Sequence, residues 1–143
     1  MKNNLLMNKD ITQLLSHYNE DFSQAVIAPL GNGHINDTYK LNTANGEFVV
    51  QKINHNVFTN PIQLSNNTQF INQHLIDADY LFSVPQQLIT KHGESAVKIG
   101  ENYWRLMEFV ADSYSIESVS SASEAKLVAR SFAKFSSALS NFP

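Results

Sequence analysis

The chain contains no cysteine. That excludes disulfide scaffolds and zinc–thiolate sites, and it fits a reducing compartment, so a cytoplasmic location is expected. Basic charge is also scarce. The formal net charge is −3, and no basic cluster is interleaved with aromatics, so a nucleic-acid partner held by electrostatics is not expected. Long apolar runs are missing as well. No window approaches the roughly 18 apolar residues of a membrane span, so no membrane partner is expected. The opening stretch from Met1 to Lys9 lacks the apolar core of a secretory signal. The histidines His17, His34, His55, His74 and His92 show no ligand spacing, and no metal site is expected from them. There is no Gly-Lys-Ser/Thr loop and no glycine-flanked nucleophile elbow. Internal repeats and low-complexity tracts are absent.

What remains is 143 residues with 43% hydrophobic and 16% charged side chains, enough for one domain with a core. Helical spacing runs from about residue 9 to 19 through Ile11, Leu14, Leu15 and Tyr18, with Asp10 as a candidate cap. Gln24–Leu30 reads as a strand bent near Pro29, suited to a sheet edge. Thr38–Asn42 alternates as a second strand, Asn45-Gly46 marks a hairpin turn, and Glu47–Ile53 is a third strand. Asn60-Pro61 opens a helix to about Ile76, with Ile62, Leu64, Phe70, Ile71, His74 and Leu75 forming its apolar side. Pro85 starts another extended piece. Ala96–Ile99 and Tyr103–Val110 read as further strands, residues 111–115 as a linker, and Ser123 to about Leu139 as a helix with a Val128, Phe132, Phe135, Leu139 core stripe. Tight hairpins with one packed helix predict an α+β fold on an antiparallel sheet.

Two features carry chemistry. Gly31 and Gly33 stand one residue apart between two strands. Glycines there let backbone amides approach phosphate oxygens, although a plain tight hairpin has the same look. Lys52 ends the third strand and shares a face with Phe48 and Val50 by period two. A solvated strand-end lysine is the alternative. If that face is a nucleotide cleft, its ammonium serves phosphates, as the strand-three lysine does in protein kinases.

The string Gly31-Asn32-Gly33-His34-Ile35-Asn36-Asp37-Thr38-Tyr39, then Val49-Val50-Gln51-Lys52-Ile53-Asn54, then Val57-Phe58-Thr59-Asn60-Pro61, resembles the aminoglycoside phosphotransferase/choline kinase-like superfamily. Within it, the likeness is to the N-acetylhexosamine 1-kinase branch. Tyr103–Val110 resembles the strand leading into that family's hinge. The resemblance implies a protein kinase-like N-lobe over residues 23–111, preceded by a helical segment over 1–22. Residues 112–143 would be a hinge linker and the first helix of a truncated C-lobe.

The resemblance also implies roles. Gly31, Asn32, Gly33, His34, Ile35 and Asn36 would cover the phosphates of ATP. Thr38 and Val50 would help line the adenine pocket, Lys52 would bind phosphate, and Glu108 and Val110 would meet the adenine edge with Met107 behind them. The reaction implied is transfer of the γ-phosphate to a sugar or amino-sugar hydroxyl. The partners would be a nucleotide with Mg2+ and a small-molecule sugar. The catalytic base and the Mg2+ ligands would lie in the missing C-lobe, so no catalytic residue is expected in this chain and the chain alone should be inactive. Two departures stand out: Asn36 replaces a third glycine, and no acid lies between Lys52 and Asp77, with Asn66 or Asn67 where a partner glutamate would sit. The second reading is a non-catalytic kinase-derived module that binds or dimerises through an exposed C-terminal helix.

Overall fold

The computed structural model describes residues 9–31 and 33–143. Its elements are α1 (Lys9–Leu15), β1 (Val26–Pro29), β2 (Asp37–Thr43), β3 (Gly46–Ile53), α2 (Pro61–Asp77), β4 (Val97–Ile99), β5 (Asn102–Glu108) and α3 (Ala122–Ala138). The strands form one antiparallel sheet in the order β1-β2-β3-β5-β4, so the architecture is α+β.

Local chemistry accounts for most boundaries. β1 is an edge strand and stops at Pro29, which has no amide to offer a ladder. The β2–β3 hairpin is closed by Thr43, whose hydroxyl donates to the Gly46 carbonyl at 2.9 Å and accepts from the Asn45 amide at 3.1 Å. Asn60 caps α2 by accepting from the Gln63 amide at 3.2 Å, with Pro61 in the first turn. α1 is shorter than its spacing suggests. After Leu15 the His17 and Tyr18 amides bond three residues back, which tightens and ends the helix. Asp10 lies in its first turn. The segment after Pro85 makes an isolated bridge, Gln87 to Met107, where a strand was expected. Its backbone bonds to β5 among the described residues are two, the Leu88 amide donating to the Leu106 carbonyl and the Glu108 amide to the Gln86 carbonyl.

The two faces of the sheet are covered differently. Ile11, Leu14 and Leu15 of α1, with Tyr18 and Phe22, pack on Leu41, Val50, Trp104 and Leu106 to form the main core. The opposite face meets α2 largely through polar contacts. Pro61, Ser65, Asn72 and Leu75 are its buried residues, whereas Ile62 and Phe70 are exposed, contrary to the expected apolar side. The reason is the loop beside it. Asn72 donates to the Pro85 carbonyl and accepts from the Gln87 amide, and Asn66 accepts from the Ser95 hydroxyl. Satisfied amides stand there in place of apolar packing.

α3 corrects a second expectation. None of its residues is buried, and Phe132 of the predicted core stripe is 69% exposed. It touches the rest near its C-terminal end, where Phe135 meets Tyr80 edge-on and His74 Nε2 lies 2.9 Å from the Ala138 carbonyl.

Candidate nucleotide site

Directly paired residues on antiparallel strands share a face. Thr38 pairs with Gln51 and Gln51 with Arg105; Lys40 pairs with Val49 and Val49 with Met107. These two rows lie on the α2 face, because the Arg105 Nη1 donates to Thr68 of α2 at 3.1 Å. Asp37, Lys52 and Trp104 form the neighbouring row on the other face, followed by Tyr39, Val50 and Leu106. Those side chains belong to the face that α1 covers.

This parity divides the expected site residues. Thr38 and Met107 stand on the α2 face. Val50 has no exposed surface and belongs to the α1 core; Val49 takes the α2-face position. Lys52 shares a face with Phe48 and Val50, as period two requires, but α1 flanks that face. Its Nζ sits 3.2 Å from the Asp37 carboxylate. Lys52 and Asp37 line a cavity of about 350 Å³ with His34 and Ile35. No described α2 side chain pairs with Lys52. Asn66 is engaged by Ser95, and Asn67 is exposed.

The glycine loop runs from β1 to β2 and is closed by the Leu30 amide donating to the Thr38 carbonyl at 2.9 Å. Gly31 has φ +72°, where a side chain would be strained. A Cβ on Gly33 would meet only the Asn36 carbonyl oxygen, at 3.8 Å. Asn36 ties the loop to the end of β3 by accepting from the Asn54 amide at 2.9 Å. His34 and Ile35 are exposed. Asn32 lies outside the described residues.

At the far end of β5, Met107 is buried and Glu108 is exposed. The Glu108 amide donates to Gln86 and the Phe109 amide to Glu47. Among the described residues the Val110 amide donates to no acceptor. Lys40 lies over the Phe109 ring, 3.8 Å from its centroid, and pairs with Glu47 at 2.7 Å. Glu108 and Val110 border a cavity of about 740 Å³ shared with Leu75, Phe82 and Val84.

The polar centre of the α2 face is Arg105. Its Nε and Nη2 donate to Gln51 Oε1 at 3.0 and 2.7 Å, and its Nη1 to Thr68 Oγ1 at 3.1 Å, with Gln87 Oε1 at 3.5 Å. Gln51 is itself oriented, its Nε2 donating to Thr38 at 3.2 Å. Gln87 donates to the Ser95 carbonyl at 2.8 Å, which leaves its Oε1 turned to the guanidinium. All the acceptors are neutral; no carboxylate of the described residues pairs with Arg105. Burial holds its pKa below the ordinary guanidinium value.

Reasoning from motifs passed over Arg105, Gln51, Thr68 and Gln87. The alternation Trp104-Arg105-Leu106 puts the arginine on the face opposite the two apolar residues, and a polar face open to water has the same pattern.

No family model matches the chain. Among solved structures it is similar to a spectinomycin phosphotransferase determined in complex with ADP and spectinomycin, at 13% sequence identity and a TM-score of 0.48. The match covers 71% of this chain and 28% of that one, so this chain spans well under half the length of that protein.

Proposed function

We propose that this chain is the ATP-binding lobe of a small-molecule kinase, of the aminoglycoside phosphotransferase/choline kinase-like kind that its motifs resemble. The observation that carries this is an arrangement along one sheet. A glycine loop joins β1 to β2, a helix follows β3 and flanks one face, and β5 leaves the sheet through a segment whose Val110 amide is unused. Those are the parts with which a kinase lobe grips ATP. Loop amides around Gly31 and Gly33 would cover the phosphates. Val49 and Met107 would underlie the adenine, and the Glu108 carbonyl and Val110 amide would meet its edge.

The acceptor in this reading is a sugar or amino-sugar hydroxyl, on the N-acetylhexosamine 1-kinase likeness of the loop string. Holding and orienting the nucleotide is the share of catalysis this lobe supplies. Mg2+ bound with ATP would neutralise phosphate charge. Among the described residues there is no group of three acidic or histidine side chains that could hold the ion.

The test is an amide NMR titration of the chain with Mg·ATP. Shifts are expected at residues 31–38, 49–51 and 107–110. A dispersed spectrum that does not move at millimolar ATP would refute the reading. It would favour the second one, a non-catalytic module that self-associates through α3, on which Leu127 and Phe132 are 64% and 69% exposed.

A further inference from the structure

We infer that Arg105, reaching from β5, is the cation that receives the nucleotide's phosphates, and that Lys52 is not. This deepens the nucleotide-binding reading above and rests on it. In a kinase lobe the phosphate-binding cation must stand on the face that the helix after β3 flanks, since it pairs with that helix and projects toward the nucleotide. Strand parity excludes Lys52 from that face, and Gln51 stands there instead. A neutral amide cannot replace an ammonium, but it can position a neighbouring cation. Gln51 does so, accepting from both Nε and Nη2 of Arg105.

Charge balance agrees with the geometry. Lys52 already stands 3.2 Å from the Asp37 carboxylate, and a phosphate approaching it would also meet that carboxylate. Arg105 is partly buried with no countercharge among the described residues, an arrangement that disfavours the empty state and favours an arriving anion. Its geometry is set beforehand by Gln51, Thr68 and Gln87. A guanidinium carries five N–H groups. One on Nη2 has no acceptor among the described residues, and the long contact from Nη1 to Gln87, 3.5 Å, is readily exchanged for a phosphate oxygen. The side chain occupies the row next to the end of the glycine loop, through Gln51 and Thr38.

The experiment compares adenosine with Mg·ATP by calorimetry on the wild-type chain and on Arg105→Gln, Arg105→Lys and Lys52→Ala, each checked for folding by its amide spectrum. Arg105→Gln should weaken ATP about tenfold or more while adenosine affinity stays within twofold, the size of a charged hydrogen bond. Arg105→Lys should fall between, and Lys52→Ala should leave both ligands within about twofold. The chain has two arginines, Arg105 and Arg130, so the side-chain Nε–H spectrum reads Arg105 directly in the wild type. That signal should move with ATP and stay still with adenosine, which decides the matter even if Arg105→Gln does not fold. Loss of ATP affinity in Lys52→Ala, with Arg105→Gln unaffected and the Arg105 Nε signal still, would overturn the inference and leave the nucleotide reading standing. A wild-type chain that binds neither ligand would overturn that reading itself.

Discussion

Leu14→Ala tests whether α1 closes the face of the sheet on which Lys52 lies. Leu14 has no exposed surface and belongs to the cluster of Ile11, Leu15, Tyr18, Val97, Trp104 and Leu106. Removing its isobutyl group loses the transfer energy of the methyl and methylene groups and leaves a cavity that a rigid sheet can only partly fill. Fully buried leucines behave this way at about 3 kcal/mol, within a range of roughly 2.7 to 5. Against a total stability of about 5–15 kcal/mol that is a large fraction. At roughly 2–4 °C per kcal/mol for a chain of this size, the midpoint should fall by about 6–12 °C.

The assay is urea unfolding followed by the fluorescence of Trp104. It is the only tryptophan in the chain and is 2% exposed in this same core. Far-UV circular dichroism should give a coincident transition. Phe132→Ala on exposed α3 is the control and should stay within about 0.5 kcal/mol. A loss below about 1 kcal/mol, or a helical signal that melts ahead of Trp104, would make α1 an appendage. The assignment of α1 to the core on that face would then fail.

Two further outcomes follow from the same structure. Burial, opposed by the nearby Leu106 backbone, pushes the Tyr18 hydroxyl from its usual 10.0 up to about 12. The folded chain therefore keeps its proton where the unfolded chain loses it. The associated stability, on the order of 2–3 kcal/mol, is fully present below pH 10 and is lost as pH rises from 10 to 12; Tyr18→Phe should flatten urea midpoints across that window, and an unchanged slope would refute the assignment. Asn60→Ala removes the cap of α2 and should cost about 1 kcal/mol in chemical denaturation, whereas Asn60→Asp should restore most of it; equal stabilities for all three proteins would contradict the cap.

Short-range chemistry was legible in the sequence, and some tertiary contacts overruled it. The Asn45-Gly46 turn, the Asn60-Pro61 helix start and the strand over Glu47–Ile53 depend on neighbours a few residues away, and the structure has each of them. The apolar side expected for α2 became its buried side only in part: Leu75 is buried, whereas Ile62 and Phe70 are exposed. The residues that fix burial there, Pro85, Gln87 and Ser95, come from a loop that spacing within the helix cannot see. The α3 stripe has helical spacing in the sequence but no described element to cover Phe132.

For the candidate site, the sequence by itself determined which residues go together: period two places Phe48, Val50 and Lys52 on one face and Val49 and Gln51 on the other. Only the tertiary structure decided which face α1 covers and which one α2 flanks. Alternation along a strand is symmetric between the two sides of a sheet. That symmetry is broken by contacts distant in sequence: Leu14 of α1 joins the buried cluster that holds Trp104 on one side, and Thr68 accepts from Arg105 on the other.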